Sequence, residues 1–186
     1  MPAQKTTAFG LFLLFMTTVV HAEVESGPKV GDTVPALKVQ AVNNGALADA
    51  ADLVAKREDQ ETVYVFLPKS KFDRPVGRFV KALDTAMQKR QMLHPNLQIV
   101  LVWMTDDVTL GATRTNAIQT SLQLAASQWT VWKDEATSPE GWVISDKAAV
   151  SVIVVHKKKV QATFGYDSVN DTVVPTIDAA VAKVAP

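Results

Sequence analysis

Cysteine is absent from all 186 residues, and this absence excludes more than any motif in the chain establishes. Without a thiol there is no thiolate nucleophile, no disulfide bond and no thiolate ligand for zinc or an iron–sulfur cluster. Histidine is scarce as well, and neither His94 nor His156 belongs to a spacing that binds metal. The sequence therefore predicts no thiol chemistry, no metal ion and no other cofactor.

An excess of charge of one sign is also missing, because 19 lysines and arginines balance 19 aspartates and glutamates. Proteins that bind nucleic acid normally carry a basic surface, so we expect no nucleic-acid partner. Hydrophobic residues make up 47% of the chain and charged residues 20%, which is the composition of a folded globular protein. The length suits one domain.

Long apolar runs are absent too, although a short one lies near the N-terminus. After Lys5, residues 8–20 are uncharged and mostly apolar, and Val20-His21-Ala22 offers small or modest residues where a signal peptidase cleaves. This run of about 13 residues is shorter than the ~20 residues that span a bilayer. We therefore predict a signal peptide over residues 1–22, cleaved near Ala22, and a secreted or periplasmic protein with no membrane span after signal removal. An uncleaved anchor is the alternative.

Behind a leader segment at residues 23–34, residues 35–186 alternate strand-like and helix-like segments and form the predicted domain. Apolar, β-branched runs predict strands at 37–42, 62–67, 97–104, 129–132, 149–155 and 160–165. Capping residues and helical periodicity predict helices at 46–56, from Asp73 to about 91, at 110–125 and from about 171 onward. This alternation indicates an α/β domain, and the closing hairpin and helix indicate a mixed sheet.

Four segments of this pattern resemble the thioredoxin-like superfamily, and most of all its exported thioredoxin-like and peroxiredoxin-like branch. Residues 30–37 resemble the opening G-x-x-x-P-x-L leader, and residues 63–67 resemble the first central strand. Residues 72–76 fall where the family places W-C-x-P-C at the start of a long helix, and residues 150–155 resemble the strand of the second half. The resemblance implies a three-layer fold, in which a mixed central sheet carries helices on both faces.

The cysteine motif of that family is replaced here by Phe72-Asp73-Arg74-Pro75-Val76. Asp73 and Val76 stand at the positions of the redox pair, and Pro75 is retained; with the register shifted by one residue, Arg74 takes the first position. A helix N-terminus stabilises a carboxylate as it would a thiolate, but a carboxylate cannot exchange with a disulfide. The resemblance thus implies a thioredoxin site without its reactive atoms.

A second departure concerns the loop before the strand at 149–155, where the family usually has a cis-proline that exposes backbone groups to an extended substrate. Ala149 and Val150 stand there instead. Because a cis bond before a residue other than proline costs about 3 kcal/mol, we expect a trans peptide and a groove of different shape. Together with residues 72–76, these two residues form the candidate contact site.

The pattern favours a non-catalytic binding or scaffolding module, with an exported protein or peptide as its partner and with no catalytic residue. Two alternatives stay open at this point. One is an enzyme with non-thiol acid–base chemistry that uses Asp73, Arg74, Asp106 or Asp107. The other is a purely structural protein of the cell envelope.

Overall fold

A single mixed β-sheet organises residues 23–186, which are the residues that the computed structural model describes; the predicted signal peptide lies outside them. The seven strands are β1 Lys38–Asn43, β2 Ala46–Asp52, β3 Thr62–Pro68, β4 Gln98–Met104, β5 Ser127–Trp132, β6 Val150–His156 and β7 Lys159–Tyr166. Their order across the sheet is β2-β1-β5-β4-β3-β6-β7. The central strands β5, β4 and β3 are parallel and the remaining neighbours are antiparallel, so the predicted mixed sheet is confirmed.

Four helices connect these strands or close the chain. They are α1 Leu53–Arg57, α2 Arg74–Gln91, α3 Val108–Leu122 and α4 Val174–Val181, and short 3-10 turns stand at Lys69–Lys71 and Asp171–Val173. Asp73 caps α2 as the sequence predicts, because its Oδ1 accepts a hydrogen bond of 2.9 Å from the Val76 N–H. The cap and the apolar periodicity after it are local signals, which explains why the limits of α2 were predictable.

Each face of the sheet carries its own hydrophobic cluster. Successive residues of β3 point in opposite directions, so Val63 and Val65 join one cluster while Tyr64 and Phe66 join the other. This strand is buried along its whole length, as expected of a central strand that is covered on both sides.

The two faces are covered unequally. On the first face, α2, α3 and α4 contribute buried side chains such as Phe79, Ala112 and Ile177. On the second face, the short α1 contributes Leu53, and the long connection from β5 to β6 contributes the fully buried Trp142. The α/β three-layer architecture predicted from the sequence is thereby confirmed, with helices on both faces.

The predicted helix at 46–56 is wrong over most of its length. Residues 46–52 form β2, and only residues 53–57 are helical. Asn44 and Gly45 both have positive φ angles, of 51° and 82°, which suits a tight hairpin turn and sets β2 antiparallel to β1. The helix begins only where the Asp52 carboxylate accepts the N–H groups of Val54 and Ala55.

Asp84 is a charged residue of α2 that is nevertheless buried. The periodicity of α2 places it on the polar face, but the residue is only 1% exposed. Its carboxylate accepts hydrogen bonds from the Ala125 N–H, the Ala126 N–H and the Ser127 hydroxyl, at 3.1, 3.0 and 2.7 Å. Asp84 therefore fixes the start of β5 against α2.

The leader, residues 23–34, is tied to the sheet by hydrogen bonds. The Val24 N–H donates to the Gly165 carbonyl at 2.8 Å, and the Gly31 N–H donates to the Val160 carbonyl at 2.8 Å. Between these points, the hydroxyl of Ser26 is buried against that of Ser151 at 2.7 Å. The two ends of the leader therefore pair with β7, and its middle reaches across to Ser151 of β6. Within residues 23–186, no helix combines the length and the apolar character that crossing a bilayer requires.

Candidate binding site

The two segments of the predicted contact site meet at one edge of the sheet. Phe66, near the end of β3, pairs with Ser151, near the start of β6, and the two strands are antiparallel. The loop that follows β3 and the loop that precedes β6 therefore lie at the same edge. The Lys71 ammonium links them, because it donates to the Asp146 carbonyl.

Three of the predicted contact residues belong to the core. Val76 is 2% exposed, Ala149 is 6% exposed and Val150 is fully buried. The Ala149 N–H donates to the Tyr166 carbonyl at 2.7 Å, and the peptide before Val150 is trans as expected. Neither the side chain nor the N–H of Ala149 is therefore available to an extended substrate.

One side of this edge is closed by the connection from β5 to β6. The Ser70 N–H donates to the Glu135 carboxylate, and the Glu135 N–H donates to Oδ1 of Asp106 at 3.2 Å. A cavity of only about 80 Å³ remains between the loop after β3 and this connection. The space in which a partner can approach lies on the other side, toward α3.

On that side, the first turns of α2 and the exposed face of α3 enclose a groove of about 610 Å³, which we call the arginine groove. Its lining residues are Phe72, Asp73, Arg74, Gly77 and Arg78 at the start of α2, and Arg114, Ala117, Ile118, Ser121 and Leu122 on α3. Four of them have apolar side chains, and three carry guanidinium groups. Phe72, Asp73 and Arg74 are thus the predicted site residues that open onto a groove.

The three guanidinium groups of the groove have no carboxylate partner. Within the part of the chain that the structure describes, the guanidinium groups of Arg74, Arg78 and Arg114 form no ion pair and no hydrogen bond. Asp73 is the one acid in the lining, and it is engaged in capping α2. The groove is therefore a positively charged surface with an apolar lining.

The buried indole of Trp103 contacts two residues that line the groove. The ring of Trp103, which is fully buried in β4, lies 5.2 Å from the ring of Phe72 in an edge-on contact. The guanidinium carbon of Arg114 lies 6.0 Å from the centre of the same indole ring, within the range of a cation–π contact. Trp103 therefore contacts one lining residue from each side of the groove.

Sequence reasoning missed Arg78 and Arg114. Arg78 follows Arg74 by four residues on one helix, so both lie on one face, and this spacing could have been noticed. No local signal could have found Arg114, because its place beside the start of α2 depends on how α3 packs in the tertiary structure. The same holds for the apolar lining supplied by Ile118 and Leu122.

The residues considered for acid–base chemistry are not gathered in one place. The carboxylate of Asp107 caps α3 by accepting the Leu110 N–H at 2.9 Å, and the carboxylate of Asp106 accepts the Glu135 N–H in the connection after β5.

Burial raises the pKa of the Tyr64 phenol well above its usual value, so this group stays protonated on the opposite face of the sheet. Among residues 23–186, no group of three or more histidines and carboxylates has the geometry to hold a metal ion.

Comparison with known proteins bears on the fold. No protein-family model matches the chain, and no curated protein sequence does. Among solved structures, a secreted thiol-disulfide isomerase from Corynebacterium glutamicum is similar over 94% of this chain and 98% of its own, with a TM-score of 0.58 and 12% identity. A 2-Cys peroxiredoxin from Plasmodium vivax is similar over 83% and 95%, with a TM-score of 0.60 and 16% identity. Peroxidoxin BcpB from Mycobacterium tuberculosis is similar over 86% and 99%, with a TM-score of 0.57 and 12% identity.

The protein has a thioredoxin-like fold. Sequence identities this low establish the fold only, so the activities of these neighbours are not assigned to this chain. The thiol-disulfide isomerase and the 2-Cys peroxiredoxin are named for thiol or cysteine chemistry, whereas this chain has no cysteine. Within the thioredoxin-like fold, Phe72 and Asp73 stand at the start of α2, and the arginine groove begins at them.

Proposed function

We propose that this protein is an exported thioredoxin-fold binding module without thiol–disulfide activity, and that a protein or peptide partner binds in the arginine groove. The observation that carries the proposal is the set of three guanidinium groups without carboxylate partners around an apolar groove. The groove begins at Phe72 and Asp73, which the sequence resemblance aligns with the family's reactive segment. Carboxyl, guanidinium and apolar groups replace the thiols there, and these groups suit recognition.

The arrangement of charge in the groove supports a binding role. Like charges four residues apart on a helix destabilise it by about 0.2–0.5 kcal/mol, and Arg74 and Arg78 form such a pair. Arg114 adds a third positive charge across the groove. A local arrangement that costs stability without a structural gain is typical of a functional surface.

The N-terminus supports export. The predicted cleavage after Ala22 would leave Glu23 as the first residue, and Glu23 already pairs with Tyr166 of β7. Cleavage there would preserve the leader hydrogen bonds. N-terminal sequencing of the protein isolated from its host should therefore begin at Glu23, and a soluble product that still begins at Met1 would contradict the proposal.

Selection from a random peptide library tests the binding role. Peptides selected on the wild-type protein should lose at least tenfold in affinity when Ala117→Trp fills the groove, since tenfold corresponds to about 1.4 kcal/mol. Ala117 is exposed on α3, so the substitution should leave the fold intact. The control Gln161→Trp adds the same side chain to an exposed site on β7 and should leave affinity unchanged. Equal binding to both variants would contradict the proposal.

A further inference from the structure

We infer that the arginine groove recognises an acidic peptide segment in which an apolar side chain is flanked by carboxylates. This inference rests on the proposed function and names the chemistry of the partner. The groove supplies two complementary features, which are guanidinium groups from both of its helices and an apolar lining between them. Each feature constrains what can bind.

The positive charge of the groove comes from side chains and not from the helix N-terminus. Two N–H groups at the start of α2 are already engaged, because Asp73 accepts the Val76 N–H through its carboxylate and the Gly77 N–H through its carbonyl. Pro75 has no N–H to offer. The groove offers an anion three guanidinium groups, those of Arg74, Arg78 and Arg114, and such planar groups match carboxylates in two-point hydrogen bonding.

The apolar lining requires a second component in the partner. Phe72, Ile118 and Leu122 are partly buried and pack against the core of the first face, so they present a fixed surface. A groove of about 610 Å³ has room for one or two large side chains, within the ~300–1,000 Å³ that ligand sites occupy. A leucine or phenylalanine of the partner would be held there.

The placement of the arginines on two helices favours a peptide over a small anion. Arg74 and Arg78 belong to α2, whereas Arg114 belongs to α3 and also contacts the Trp103 ring. A monocarboxylate or inorganic phosphate has a single charged group to offer, whereas a peptide can place carboxylates on both sides of an apolar anchor. The chain as a whole is neutral, so this local charge, rather than net charge, selects the partner.

Three fluorescein-labelled synthetic peptides of equal length test the inference by fluorescence anisotropy. The first places leucine and phenylalanine among aspartates and glutamates, the second replaces every acid by its amide, and the third replaces leucine and phenylalanine by serine. The first should bind, and the other two should each bind at least tenfold more weakly. Raising the salt from about 0.05 to 0.3 M should weaken the first peptide severalfold, because exposed charges are screened.

Charge-reversal variants locate the binding. Arg78→Glu and Arg114→Glu should each weaken the acidic–apolar peptide at least tenfold. Lys89→Glu makes the same change in net charge on the exposed surface of α2 outside the groove, and should change affinity less than about twofold. Binding should also change the fluorescence of Trp103, through its contact with Arg114, which a loose electrostatic encounter elsewhere would not do.

Several outcomes would overturn the inference. The inference fails if the acidic–apolar peptide does not bind, or if the amide peptide binds with the same affinity. It also fails if Lys89→Glu lowers the affinity as much as Arg78→Glu does. A further contradicting result is displacement of the acidic–apolar peptide by an equal concentration of benzoate or inorganic phosphate. The last result would assign the groove to small anions. If library-selected peptides respond to Ala117→Trp but carry no excess of acid, the proposed function stands and this inference alone fails. If no selected peptide responds to Ala117→Trp, both fail.

Discussion

Replacing Asp84 with alanine is expected to lower the free energy of unfolding by about 3–5 kcal/mol, because it leaves three hydrogen-bond donors at the start of β5 without their acceptor. Those donors are the N–H groups of Ala125 and Ala126 and the hydroxyl of Ser127. Because Asp84 is 1% exposed, water cannot readily replace the lost carboxylate. Urea denaturation followed by circular dichroism measures the loss.

Two further variants make the result specific. Asp84→Asn keeps one acceptor oxygen and should cost less than the alanine variant. Thr85→Ala alters the next residue of α2, which is exposed, and should stay within about 0.5 kcal/mol of the wild type. An Asp84→Ala protein that unfolds at the wild-type urea concentration would show that the buried carboxylate contributes nothing to stability.

Gly165→Ala is expected to detach the leader from β7 and to lower the free energy of unfolding by about 2–4 kcal/mol. A Cβ at this position would stand 2.1 Å from the Val24 carbonyl oxygen and 2.8 Å from Cβ of Ser26. The first of these atoms belongs to the backbone and cannot be turned away by a change of rotamer. Urea denaturation gives the energy, and limited proteolysis should then cleave the leader in the variant.

A protein shortened at its N-terminus provides the control for this substitution. In a protein that begins at residue 28, Val24 and Ser26 are gone, and Gly165→Ala should then cost less than about 0.5 kcal/mol. The backbone of Gly165 does not adopt a left-handed conformation, so alanine is otherwise compatible with the strand. Equal destabilisation in both lengths would place the cause elsewhere than in the leader.

Local signals explain what could be predicted from the sequence. The apolar runs of β3, β4 and β6 and the Asp73 cap of α2 depend on neighbours within a few residues, and the order of these elements indicated the fold. The strand β2 was missed because residues 46–52 are rich in alanine and have little intrinsic preference for a strand. It forms because the turn at Asn44 and Gly45 sets it beside β1.

Tertiary contacts explain what could not be predicted. The burial of Asp84 depends on residues about 40 positions further along the chain, so helical periodicity alone assigns it to solvent. The burial of Val76 and Val150 likewise depends on the packing of α2 and β6 in one cluster. The arginine groove needs α3 beside the start of α2, and only its Arg74–Arg78 half is visible in the sequence.

The position of the leader also has a consequence for the order in which the chain folds. Ser26 and Ser151 are 125 residues apart, and the backbone hydrogen bonds of Val24 and Gly31 reach β7, which ends at Tyr166. Contacts of such long range form slowly, because the intervening chain must first be brought together. The leader, although synthesised before the rest of the domain, can therefore dock only after β7 exists. Until then, the outer strand of the nascent sheet is open to pairing with another chain.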